Sequence, residues 1–142
     1  MSSLAYASHE TRASAYPDSV ALVGRILLAA IFLLSGASKL ADPAGTIGYI
    51  TSAGLPFAQL GFAGAAAVEI LGGLALVVGY RTRIAALVLA IFSLAAALAF
   101  HSALADQNQF IHFFKNIAMA GGLLQVTAFG AGRYSLDARR PD

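Results

Sequence analysis

Four apolar stretches, each about twenty residues long, dominate this sequence. They run over residues 20–40, 58–80, 84–105 and 110–131. An α-helix rises about 1.5 Å per residue, so roughly 20 apolar residues cross the ~30 Å hydrocarbon core of a bilayer. The stretches therefore predict an all-α fold in which an antiparallel four-helix bundle crosses a membrane.

The composition agrees with a chain that is surrounded by lipid. Hydrophobic residues make up 58% of the 142 residues and charged residues only 11%, whereas a soluble domain has roughly 25% charged residues. A chain this short cannot bury so many apolar side chains in a water-facing fold. The absence of cysteine excludes disulfides and Cys-ligated metals. The scattered basic residues form no nucleic-acid-binding patch, and no metal-binding, phosphate-binding or nucleophile motif is found.

The remaining segments predict two tails and three connections. Residues 1–19 predict a disordered tail and residues 133–142 a basic tail, on either side of a membrane domain over residues 20–132. Two prolines break the first connection, which is apolar enough to form a short interfacial helix around residues 44–53. The second connection, residues 79–83, is a tight basic turn that predicts a helical hairpin, and the third is short and polar.

The positions of Lys and Arg predict the orientation of the chain. With four spans, both tails and the middle turn share one side of the membrane. That side has Arg12, Arg81, Arg83, Arg133, Arg139 and Arg140. The opposite side has Lys39 at a helix end and no other Lys or Arg in its loops. Because Lys and Arg are enriched in cytoplasmic loops, we expect both termini in the cytoplasm and the chain in a bacterial inner membrane.

Glu69 lies near the middle of the second apolar stretch. A carboxylate that faces lipid is unfavourable by a few kcal/mol, so Glu69 is expected to face the bundle interior. Its role is either to hold helices together or to bind a ligand or a proton. By depth, the expected cationic neighbours are Lys115, about 9 Å below the outer face, and Arg25, about 8 Å from the inner face. Arg25 has the alternative of extending its guanidinium to the headgroups.

Further polar residues gather near the predicted outer ends of the spans. His101 and Lys115 are expected to face a shared interior site. His112 has three phenylalanines beside it, so interfacial anchoring is the better interpretation for it. Lys39 and Asn116 lie at a similar level. The two histidines are also haem ligands in principle, but nothing in the sequence predicts that geometry.

Several short motifs follow one another along residues 20–137. They are Gly24-Arg25-Ile26-Leu27-Leu28, Phe32-Leu33-Leu34-Ser35-Gly36, Lys39-Leu40, Gly54-Leu55-Pro56, Glu69-Ile70-Leu71-Gly72-Gly73, Gly79, Thr82-Arg83 and Gly132-Arg133-Tyr134-Ser135-Leu136-Asp137. In this order and spacing the chain resembles the DoxX family of small four-helix membrane proteins. The family takes its name from a subunit of a quinone-linked thiosulfate-oxidising system, and other members are associated with membrane redox complexes.

The resemblance implies a role beside a membrane redox system. By analogy, Arg25, Glu69, His101 and Lys115 would form a ligand site for a quinone or a small anion. The implied partners are the lipid bilayer, a redox protein and further copies of the chain, and the chain alone is not expected to be an enzyme. The absence of cysteine argues against thiol exchange.

Two alternatives remain at this point. The first is a transporter or permeability factor for a small solute, although four spans are few for alternating access and no inverted repeat is evident. The second is a membrane scaffold with no site of its own, in which Glu69 only joins helices. Replacement of Glu69 by glutamine separates these functions, because it removes the charge and keeps the size of the side chain.

Overall fold

The fold is all-α in the computed structural model, which describes residues 3–139 and the side chains from Pro17 onward. Five α-helices make up most of the described chain. They are α1 (Ser3–Ala41), α2 (Pro43–Ser52), α3 (Ala58–Val78), α4 (Thr82–Phe100) and α5 (Gln107–Phe129), and a 3₁₀ turn follows at Asp137–Arg139. The apolar stretches of the sequence are therefore helical, as predicted.

Three of the described helical segments are long and apolar enough to cross a membrane. They are Pro17–Ala41 within α1, all of α3 and all of α4. Helix α5 has 23 residues but is less apolar, because polar residues interrupt its first half. The structure thus supports three spans by length and composition, and the fourth span stays a prediction.

Helix α1 begins well before its apolar part. The helix starts at Ser3 and passes through Pro17, so it differs from the disordered tail expected over residues 1–19. Met1 and Ser2 lie outside the described residues, as do residues 140–142 at the other terminus. The apolar, membrane-capable part of α1 begins at Pro17, close to the predicted start of the first span.

Helix α2 starts with a well-formed cap. The Asp42 carboxylate accepts a hydrogen bond from the Gly45 backbone N–H at 2.9 Å, and Pro43 occupies the first helical position, where proline loses no hydrogen bond. Ile50 of α2 is buried against the beginning of α3, close to Gly61. The short helix expected around residues 44–53 is therefore present, and its interfacial location stays a prediction.

The core lies where α1, α3, α4 and α5 meet. Helix α1 packs on α3, α3 on α4, α4 on α5 and α5 back on α1. The central buried residues are Ala29, Phe32, Leu76, Ala86, Leu89, Ala90, Ala120 and Leu123. A side chain on Gly72 would meet Leu89 of α4, and one on Gly73 would meet Leu33 of α1. These glycines allow the close helix contacts that association in lipid requires.

The outer surface is apolar over most of its length. Leu34 is 69% exposed, Leu60 is 71% exposed and Phe129 is 79% exposed, and they are only three of thirty large apolar residues at the surface among the side chains described from Pro17 to Arg139. An apolar surface of this extent is unfavourable in water and favourable against acyl chains. The exposed faces of the helices therefore fit a bilayer as their solvent.

The C-terminal segment, residues 132–139, packs against the turn between α3 and α4, and we call it the C-terminal strap. The Leu136 backbone N–H donates to the Val78 carbonyl at 3.0 Å, and that of Asp137 donates to the Gly79 carbonyl at 2.8 Å. The Asp137 carboxylate accepts from the backbone N–H groups of Arg81 and Thr82 at 2.7 and 2.8 Å. It thereby caps the N-terminus of α4, where a negative charge is favourable.

Candidate functional site

Glu69 forms an ion pair with Lys39 across the contact between α1 and α3. The distance from the Lys39 Nζ atom to the Glu69 Oε2 atom is 2.9 Å. The Glu69 side chain is 5% exposed and that of Lys39 is 24% exposed. The carboxylate is thus shielded inside the protein, as the sequence predicted, while the ammonium group stays partly accessible at the surface.

Ser35 completes a small hydrogen-bonded network with these two residues. Its hydroxyl donates to the Glu69 Oε1 atom at 3.0 Å and accepts from the Lys39 ammonium at 2.8 Å. The ammonium also donates to Glu69 Oε1 at 3.0 Å. The ammonium also lies 2.9 Å from Glu69 Oε2, but this buried oxygen accepts no hydrogen bond from a described residue. The Ser35 hydroxyl and Glu69 Oε1 are thus hydrogen-bonded within the network, whereas Glu69 Oε2 is paired with Lys39 by charge alone.

The network lies near the middle of α3 but close to the end of α1. A side chain on Gly36 would lie 3.3 Å from Glu69 Cβ, so these two residues are level. Gly36 is five residues from the end of α1, and Glu69 is eleven residues from the start of α3, so α3 extends about 9 Å beyond α1. Relative to α1, the network therefore lies only about 8 Å from the helix end.

Arg25 lies at the other end of the molecule and has different partners from those expected. It is 1% exposed, and its Nη2 atom donates to the Tyr134 carbonyl of the C-terminal strap at 2.7 Å. Its Nη1 atom lies beside Gly79, at the spot that a side chain there would occupy. The guanidinium is therefore buried against the strap rather than extended to the protein surface, and its hydrogen-bond partner is not Glu69. It joins α1 to the strap and to the α3–α4 turn.

The two histidines meet each other near the ends of α4 and α5. The rings of His101 and His112 stack with their centroids 5.0 Å apart, and the His101 Nδ1 atom is 2.8 Å from the Gln109 Oε1 atom. Phe110, Phe113 and Phe114 form ring contacts in the same part of α5. His101 therefore pairs with His112 rather than with Lys115, and the interfacial anchoring of His112 stays a prediction.

The structure does not bring the four predicted ligand residues together. Glu69 belongs to the network with Lys39 and Ser35, Arg25 to the strap, and His101 to the stacked pair. Lys115 is exposed on α5. The four residues thus occupy separate environments in the described part of the chain.

Lys39 and Ser35 are the partners that depth counting missed, although the sequence contains a signal for them. Arg25, Ala29, Phe32, Gly36 and Lys39 are spaced three or four residues apart and form the inward face of α1. A face of this period marks the residues that pack against neighbouring helices. The Lys39 side chain on this face extends toward the helix N-terminus. Its ammonium therefore lies one helical turn before Lys39, at the level of Ser35.

The chain matches known membrane proteins over most of its length. A family model for DoxX matches residues 20–102. The chain is 38% identical over 120 residues to the inner membrane protein YqjF of Escherichia coli strain K12, which covers 84% of this chain and 91% of YqjF. It is 31% identical over 123 residues to the inner membrane protein YphA of the same strain, over 83% of this chain and 88% of YphA. No solved structure matches the chain.

The residues matched by the family model include most of the structure described above. They contain the apolar part of α1 from Val20 onward, the whole of α2 and α3, and α4. Arg25, Lys39 and Glu69 all fall within the match, whereas α5 and the C-terminal strap follow it. The apolar helices and the matches together identify an integral membrane protein.

Proposed function

The chain belongs to the DoxX family, and on that premise we propose that it is a four-span accessory subunit of an inner-membrane redox system. In this proposal it has no catalytic centre of its own. The observation that carries the proposal is the network of Glu69, Lys39 and Ser35 between α1 and α3. The ion pair and the hydrogen bonds of these groups join α1 to α3, so they support a structural role inside the membrane.

Of the four predicted ligand residues, only Glu69 keeps a place in a polar intramembrane site. Its partners there are Lys39 and Ser35. The partly exposed Lys39 ammonium is the point at which a partner subunit or the polar head of a quinone would contact this site. Arg25 acts in the proposal as an internal support of the C-terminal strap.

The proposed topology has α1, α3, α4 and α5 crossing the membrane in alternating directions, with both termini in the cytoplasm. Helix α5 has 23 residues and is thus about 34 Å long, which is enough to cross the hydrocarbon core. Lys115 is the only formally charged residue in α5. The arginines of the α3–α4 turn and the strap favour the cytoplasm for that end of the molecule.

Cysteine labelling tests this topology directly, because the chain contains no cysteine of its own. Gln107 is the exposed first residue of α5, and Ala138 is an exposed residue beyond its C-terminal end. In intact cells, an impermeant maleimide should label Gln107→Cys, and it should label Ala138→Cys only after permeabilisation. Ser52→Cys on α2 should behave like Gln107→Cys. Labelling of Gln107→Cys and Ala138→Cys from the same side would show that α5 does not cross the membrane.

Association with a redox system is tested by purification from native membranes. The tagged full-length chain, extracted in a mild detergent, should elute with a protein that carries a flavin, haem or iron–sulfur absorption spectrum. Glu69→Gln should reduce the thermal stability of the chain and leave that spectrum in the eluate, because the network acts on the fold. Elution of the chain alone at its native expression level would contradict the proposal.

The alternative function is transport of a small solute. It is tested by measuring solute flux into liposomes that contain the protein. The Glu69 network favours the accessory role, because its polar groups bind one another instead of lining a continuous path for a solute. Flux of a solute through liposomes containing only this chain, lost in Glu69→Gln, would favour transport instead.

A further inference from the structure

An apolar groove lies between α3 and α4, outside the Glu69 network. Its volume is about 740 Å³. Small residues along the two helices contribute to its lining: Ala67, Gly72, Ala75 and Ala85. Larger apolar side chains flank it, and several are well exposed, including Leu71 at 66% and Ile84 at 57%. The groove is therefore open to whatever surrounds the helices.

The groove extends over about half the thickness of a bilayer. Its lining residues on α3 run from Ala67 to Val78, a distance of about 16 Å along the helix axis. One leaflet contributes about 15 Å to the hydrocarbon core. The groove thus begins at the α3–α4 turn and ends near the level at which the two leaflets meet.

Arg81 and Tyr80 lie at the turn end of the groove and contribute to its lining. Arg81 is exposed, and its guanidinium has no hydrogen bond or ion pair with any described residue. The nearby Asp137 carboxylate is directed at the backbone N–H groups of Arg81 and Thr82. A cation and a tyrosine at the end of an apolar groove are the groups that a phospholipid headgroup meets at the membrane surface.

We propose that this groove binds an anionic phospholipid, with one acyl chain between α3 and α4 and the phosphate against Arg81. The cation matches the charge of the phosphate, and the apolar lining matches the chain. A helix from a second copy would be expected to follow α3 and α4 across both leaflets, whereas the groove extends over only one. The length and the terminal charge therefore favour a lipid over a second copy.

Native mass spectrometry of the intact chain tests the proposal. The probes are equimolar phosphatidylglycerol and phosphatidylcholine with identical acyl chains, added to protein in mild detergent. One arginine at the membrane surface corresponds to roughly fivefold in affinity for an anionic lipid. We expect about fivefold preferential retention of phosphatidylglycerol by the native chain, and the loss of that preference in Arg81→Gln.

Three variants act as controls. Arg139→Gln removes the same charge from an exposed residue of the strap that does not line the groove, and it should keep the preference. Arg81→Lys keeps a cation at the groove end and should also keep it. Ala75→Leu partly fills the groove and should lower the retention of both lipids equally. Circular dichroism and gel filtration check that each variant is folded.

Several results would overturn the proposal. Equal retention of the two lipids by the native chain would remove the role of the charge. Equal losses in Arg81→Gln and Arg139→Gln would indicate general electrostatic attraction. Full retention in Ala75→Leu would place the lipid elsewhere. A disulfide-linked dimer formed through Leu71→Cys in native membranes would place a second copy in the groove.

Discussion

Replacement of Lys39 by methionine is expected to lower the stability of this protein by about 3 kcal/mol. The change leaves the Glu69 carboxylate, whose side chain is 5% exposed, with the Ser35 hydroxyl as its remaining donor. Removing one partner of a buried ion pair costs about 3–5 kcal/mol. We take the lower end because protonation of Glu69 relieves part of the unpaired charge. The measurement is the unfolding midpoint in detergent, expected to fall by roughly 6–12 °C for a chain of this size.

Glu69→Gln should be milder than Lys39→Met. The Lys39 side chain is already 24% exposed, so its ammonium can move toward the headgroups when its partner loses its charge. The glutamine amide oxygen also continues to accept a hydrogen bond. We expect a loss of about 1–2 kcal/mol, near the value for a hydrogen bond to a charged group.

The double variant Lys39→Met/Glu69→Gln measures the coupling between the two residues. Because it removes the unpaired charge, it should be more stable than Lys39→Met alone, which requires a coupling of about 2–3 kcal/mol, larger than the cost of Glu69→Gln. Lys115→Met is the matched control, since it replaces an exposed lysine on α5 and should change stability by less than about 0.5 kcal/mol. Strictly additive effects of the two single changes would show that the ion pair does not hold α1 to α3.

The helical architecture could be predicted from the sequence because lipid imposes simple requirements. Backbone groups in a bilayer must be paired within the segment, and an apolar run of about twenty residues has few alternatives to a helix. The inward direction of Glu69 followed from the same reasoning, because an exposed carboxylate is unfavourable in hydrocarbon. Both conclusions depend on the solvent rather than on which helices are neighbours.

The partner of Glu69 could not be predicted because it depends on how far α1 and α3 are displaced along each other. Helix α2 packs beside the first turns of α3, with Ile50 close to Gly61. This contact allows α3 to extend beyond the end of α1, and the network of Glu69 with Lys39 depends on that displacement. Counting residues from each helix end assumes that the ends are level, so it selected Lys115 and Arg25.

Arg25 shows a second limit of the sequence. A guanidinium near a helix end is free to extend to the headgroups when only its own helix is considered. In the structure, the C-terminal strap provides the Tyr134 carbonyl as a buried acceptor. The strap has a polar, basic sequence that resembles a solvated tail, and only its contacts with the α3–α4 turn identify it as part of the packed structure.

The strap leads to a second large effect, at Gly79. This residue ends α3 with a φ of +69°, a backbone conformation that costs an alanine about 1–2 kcal/mol. A side chain here would also lie 2.9 Å from Ser135 Cα and would contact Ser135 Cβ and Arg25 Nη1 more closely still. Because Ser135 Cα belongs to the backbone, the strap would have to move away from the turn in Gly79→Ala.

Movement of the strap would break the hydrogen bonds from Leu136 and Asp137 to the end of α3, and it would withdraw the Asp137 cap from α4. We therefore expect Gly79→Ala to cost about 3–4 kcal/mol, as the sum of the backbone strain and a lost cap and hydrogen bonds. Gly54→Ala is the matched control, since Gly54 has a φ of +75° and open space around it, and it should cost only about 1–2 kcal/mol. Unfolding midpoints in detergent compare the two variants, and limited trypsin digestion at Arg133 should be faster only in Gly79→Ala. Equal midpoints and equal digestion rates would mean that the strap contributes little to the fold, because the two variants then differ in nothing but their position in the chain.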